Sequence, residues 1–65
     1  MKIRGITKGV GPVLWLTESG YWTERESEGT EFCKVEADRR IRVNNANNRF
    51  LDAEDQIEAE IVESR

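Results

Sequence analysis

The chain has no histidine, a single cysteine, a single proline and no long apolar run, and each absence excludes something. Without histidine the commonest general base and metal ligand is missing, and no Ser-His or Cys-His nucleophile pair can be assembled. Cys33 stands alone, so the chain forms no internal disulfide and offers no Cys-X-X-Cys or Cys/His metal set. A lone cysteine in a small domain is most simply a small apolar core residue, and its lack of a partner fits a reducing compartment. No stretch approaches the roughly 18 apolar residues of a membrane span, and Met1 to Lys8 holds no apolar leader segment. A soluble, cytoplasmic protein with no membrane contact is the expectation.

What the chain has is charge. Of its 65 residues 35% are charged and 37% apolar, with five aromatics and a net charge of -3, a balance that favours a folded domain over disorder. One domain spanning 1–65 is expected, near the lower size limit for folding without a staple, so either a monomer or a homodimer suits it. Carboxylates are abundant, but they sit in runs expected to be solvated, without the burial that tunes a catalytic group. A domain of this size also has little room for a concave pocket. No enzymatic activity, no cofactor and no bound metal are therefore expected.

The stretch Pro12 to Glu26 carries Trp15, Tyr21 and Trp22 and the densest strand-forming composition. Val13 to Thr17 and Tyr21 to Thr23 flank Ser19-Gly20, which predicts a β-hairpin over 12–26, with Glu18 at an undecided register. Lys2 to Thr7 reads as a first strand with Gly5 marking a weak point, and Lys8 to Pro12 as a loop. Thr30 to Ala37 and Ile41 to Val43 alternate with period two and read as a second hairpin around Asp38-Arg39. A helix across Phe32 to Ile41 competes, since Cys33, Ala37 and Ile41 also fall at helical spacing. The asparagines Asn44, Asn45, Asn47 and Asn48 read as a loop.

At the C-terminal end Asp52 is a good N-cap, and Ala53, Ile57 and Ile61 recur every four residues among strong helix formers. A strand would use the alternation of Ile57, Ala59 and Ile61, but an acidic amphipathic helix over about 52–63 is the preferred reading. The fold class that results is α+β: a small antiparallel sheet of about four to five short strands around the central hairpin, with one C-terminal helix.

Charge is distributed in blocks. Residues 1–17 carry +3, 18–36 carry -4, 37–49 carry +3 and 50–65 carry -5, together the net charge of -3. The simplest account is mutual compensation of solvated blocks. The sharper one is a bipolar surface whose acidic face, Glu24, Glu26, Glu28, Glu54, Asp55, Glu58, Glu60 and Glu63, attracts a protein with a basic surface. Spaced carboxylates imitate phosphates, which makes a nucleic-acid-binding protein the natural target. Small acidic phage inhibitors of host defence, anti-CRISPR proteins among them, share this size and charge, an analogy of bulk properties and not of sequence. A second reading is direct nucleic-acid binding by Arg39, Arg40, Arg42 and Arg49, with an exposed Trp15, Tyr21 or Trp22 stacking on bases. The pI of about 4.9 weighs against it. A third is a subunit-type module that pairs through a strand edge.

Overall fold

The computed structural model describes residues 1–7 and 11–63. Its elements in chain order are β1 (Lys2–Thr7), β2 (Leu14–Leu16), β3 (Trp22–Thr23), α1 (Lys34–Asn48) and β4 (Ile57–Val62). Single 3-10 turns lie at Glu26–Glu28 and Ala53–Asp55. The four strands form one antiparallel sheet in the order β3-β2-β1-β4, and with α1 they make the α+β arrangement that the sequence predicts. Of the loop expected over Lys8 to Pro12, residues 8–10 lie outside the described residues, and Gly11 and Pro12 carry no regular structure.

The hairpin forms where the aromatic-rich stretch predicts it, and Glu18 belongs to its turn. The Thr17 N–H donates to Tyr21 O at 2.9 Å, and the Gly20 N–H donates to Thr17 O at 3.0 Å. The Thr17 hydroxyl adds a second bond to Tyr21 O. Gly20 takes φ +93°, a conformation that costs residues with a Cβ roughly 1–2 kcal/mol, so glycine is the residue the turn needs.

Two segments exchange roles relative to the sequence reading. The 30–43 stretch is not a second hairpin; from Lys34 it is helix, running on through the asparagines that read as a loop. The 52–63 stretch is not a helix; after one 3-10 turn it becomes β4, paired along its whole length with β1 from Lys2↔Val62 to Thr7↔Ile57. Long-range pairing with the central strand β1 overrides local helix propensity there, as a strand with one half-buried face allows. Ile57, Ala59 and Ile61 are part-buried while Glu58 and Glu60 are exposed, the period of two that a strand requires.

In α1 the stripe turned inward is Ala37, Ile41, Asn44 and Asn48, while Val35 is 72% and Val43 53% exposed. The helix therefore carries no apolar face that periodicity could detect. Its first turns are held locally, with Glu36 accepting from Arg40 Nε at 3.0 Å and lying 3.4 Å from Arg39 Nη1, the i,i+4 and i,i+3 spacings of helix neighbours. Its end tightens into i→i+3 bonds from the N–H groups of Arg49, Phe50 and Leu51 to Ala46, Asn47 and Asn48. Cys33 is the N-cap residue and is exposed, so the core role expected of it falls to Phe32 beside it, which is buried.

The core lies between sheet and helix and consists of Ile3, Leu16, Phe32 and Ala37, with Met1, Trp22, Ile41, Ala59 and Ile61 packed around it. Gly5, in the central strand, faces this side. A Cβ built there would lie 2.6 Å from Ile57 Cγ2 and 2.7 Å from Trp22 Cζ3. The indole, which comes from the far edge strand, occupies the space a side chain would take. Replacing glycine in a strand gains about 0.4–1 kcal/mol of unfolded-state entropy, whereas overpacking costs about 1–3 kcal/mol. Gly5→Val is thus expected to lower unfolding stability by about 1–3 kcal/mol, read as a reduced urea midpoint. A midpoint at or above that of the parent would show that the indole and Ile57 yield without cost.

Candidate interaction surface

Strand alternation sorts the side chains of the sheet. With Ile3, Gly5, Ile57, Ala59 and Ile61 turned to the helix, the opposite face receives Lys2, Arg4 and Ile6 from β1, Trp15 from β2, and Glu58 and Glu60 from β4. The loop that contains the Glu26–Glu28 turn folds over part of this face. Lys2 Nζ donates to Glu26 O at 2.7 Å, and Gly29 packs against Trp15 so closely that a Cβ there would stand 2.9 Å from the Trp15 Cβ. Trp15 is therefore buried beneath the loop. Beside it the face stays open. Arg4 forms an ion pair with Glu60 across the two strands, both side chains part-exposed, a pair worth about 0–1 kcal/mol at such a position.

The acidic residues singled out in the sequence separate into groups. Glu24, Glu26 and Glu28 ride on the loop over β2, where Glu28 accepts from the Thr23 hydroxyl at 3.0 Å. Glu58 and Glu60 project from β4, with Lys2 and Arg4 on the strand between the two groups. Glu54 and Asp55 lie in the 3-10 turn that leads into β4, and Glu63 follows directly after that strand; all three are exposed. The acids thus fall into an acidic loop and an acidic track along β4, with Lys2 and Arg4 between the two on the sheet. Asp52, Glu54 and Asp55 bring carboxylate oxygens within 4.8 Å of one another. From Asp52 to Glu63 there are six acids and neither lysine nor arginine.

Arg40 is drawn away from the rest of the arginine constellation. Arg40 turns inward, donating from Nε to Glu36 and from Nη2 to Glu18 O at 3.2 Å, with its guanidinium 5.3 Å from the centre of the Phe32 ring. Arg39 and Arg42 lie on the outer face of α1 beside Val35 and Asp38, and Arg49 is exposed past its end. Of the aromatics proposed for stacking, Trp15 is buried, Trp22 is half-buried and Tyr21 is 62% exposed.

Sequence reasoning missed the role of the asparagines. Asn44 Nδ2 and Asn48 Nδ2 both donate to Ile57 O, at 2.8 and 2.9 Å, while Asn48 Oδ1 accepts from the Ile57 N–H at 3.3 Å. Gln56 Nε2 donates to Asn48 O and Leu51 O, tying the helix end to the start of β4. The side-chain amides act as a surrogate strand, satisfying both main-chain groups of Ile57 on the side away from β1. The signal available in the sequence was the spacing of Asn44 and Asn48, four residues apart on one helix face.

No family model matches the chain, and neither a curated protein nor a solved structure does.

Truncating Asn48 leaves the Ile57 N–H without its partner. The loss of about 1–3 kcal/mol for such a group exceeds the few tenths that alanine gains in helix propensity. Asn48→Ala is expected to lower stability by about 1–2 kcal/mol and to accelerate hydrogen exchange at the Ile57 amide more than at Glu58 or Glu60. Unchanged exchange at Ile57 would show that the Asn48 amide does not protect this edge.

Proposed function

We propose that the protein is a small binding module, without catalytic activity, that engages a macromolecule with a basic surface through the acidic track along β4. The observation that carries this reading is the run Asp52, Glu54, Asp55, Glu58, Glu60 and Glu63, six acids uninterrupted by a basic residue, of which all but Glu60 are without an ion-pair partner among the described residues. Like charges close together along a segment add at a distance, raise encounter rates and orient the partner, more than they add raw affinity. A nucleic-acid-binding protein is the target class this chemistry favours, because carboxylates at successive positions present anionic oxygens as a phosphate backbone does. The inward turn of Arg40 and the burial of Trp15 weigh against the rival reading, in which the arginines and aromatics contact nucleic acid directly.

The test is a titration of the protein with an arginine-rich peptide and, separately, with a short DNA duplex, at low and at physiological salt. Saturable binding of the peptide that weakens steeply with salt is expected, together with a loss of about tenfold or more when Glu54, Asp55 and Glu58 are replaced by lysine. Binding of the duplex in preference to the peptide would overturn the proposal and make the outer face of α1 the working surface.

A further inference from the structure

In an antiparallel pair, alternate residues of an edge strand aim both main-chain groups at the neighbour, and the residues between aim theirs outward. The bonds of Asn44 and Asn48 identify Ile57 as an outward residue. Ala59 and Ile61 share its parity, so their N–H and C=O groups also point away from β1. Among the described residues no hydrogen bond reaches them. A groove of about 370 Å³ runs along this edge, lined by Ile6, Asn45, Glu58, Ala59 and Glu60. The strand offers an unused ladder with a carboxylate on each side of Ala59.

Resting on the binding role proposed above, we infer that this edge accepts an extended segment of the partner as a fifth strand, with basic residues at alternate positions. In the added strand, a residue hydrogen-bonded with Ala59 would face the helix side, and its two neighbours would stand opposite Glu58 and Glu60 in the non-hydrogen-bonded positions where side chains come closest. The segment selected is basic–small or apolar–basic. Its main-chain groups complete the ladder, and its cations meet Glu58 and the outer side of the Arg4–Glu60 pair. A second copy of β4 fits this edge poorly. An antiparallel pair that sets Ala59 opposite Ile61 puts Glu60 against Glu60, and one that sets Ala59 opposite Ala59 puts Glu58 against Glu60. Like charges directly opposite are destabilising, so the edge discourages self-pairing while it invites a basic strand.

The decisive experiment compares two synthetic peptides of alternating lysine and valine. One is unmodified, and in the other the valine amides, which would enter the ladder, are N-methylated. Charge, length and side chains are the same, and the protein is unaltered, so folding is not at issue. Affinity is read by fluorescence anisotropy and the contact by amide exchange in the protein. The unmodified peptide is expected to bind about tenfold or more tightly than the methylated one and to slow exchange selectively at Ala59 and Ile61. Equal affinities, without protection at those two amides, would overturn strand addition while leaving the acidic-track reading standing. Failure of both peptides to bind at low salt would overturn both.

Discussion

Sheet and helix can close on each other because residue 5 carries no side chain. The central strand must accept the indole of Trp22 from one side and the Ile57 side chain from the other, and both occupy the position where a Cβ would lie. Trp22 belongs to the outermost strand of the hairpin and Ile57 to the opposite edge strand, so the contact spans the whole sheet order β3-β2-β1-β4. With so few large apolar residues available, one aromatic reaching over the middle strand does what several aliphatic side chains do in a larger core. Ile3, among the described residues the only large side chain that is fully buried, sits two residues along on the same face.

The polar underside of the helix follows from the same economy of apolar groups. Ala37 is small enough to let α1 approach the sheet, and Ile41 contributes apolar contact. Beyond them the helix grips by hydrogen bonds, with Asn44 and Asn48 reading the main chain of Ile57 and Gln56 returning to Asn48 and Leu51. Directional bonds of this kind fix register as well as position, since sliding β4 by one residue would present its other parity to the amides. The acidic residues of β4 are thereby held on the open face.

The hairpin was legible because its signals agree: β-branched and aromatic runs, a Ser-Gly turn and a strand on each side. The α+β class and the approximate strand number were legible for the same reason. The placement of the helix was not. Ile57 and Ile61 satisfy a spacing of four as well as a spacing of two, and the helix-forming Ala, Glu and Gln around them tip a local reading the wrong way. In Lys34 to Asn48 the valines that suggest a strand, Val35 and Val43, are the residues the helix leaves in solvent, while its inner stripe is half asparagine. Which residues are acidic was evident from the chain. That Glu58 and Glu60 flank an unused main-chain edge, while Glu24, Glu26 and Glu28 sit on a loop across the sheet, depends on pairing that no local pattern encodes.

The pairing of β1 with β4 has a consequence for how the molecule acquires its structure. Lys2 meets Val62 and Ile3 meets Ile61, so the ladder at the middle of the sheet joins segments separated by nearly all of the described chain. The entropy of closing so long a loop must be met before those contacts give any return. The hairpin and the start of α1 close over short separations and need no such wait. The strand bearing the acidic track is therefore the natural last arrival, and until it docks, the central strand lacks a neighbour on one side. The surface proposed for recognition comes into being only with the completed fold, so any binding through it would be tied to the cooperativity of folding.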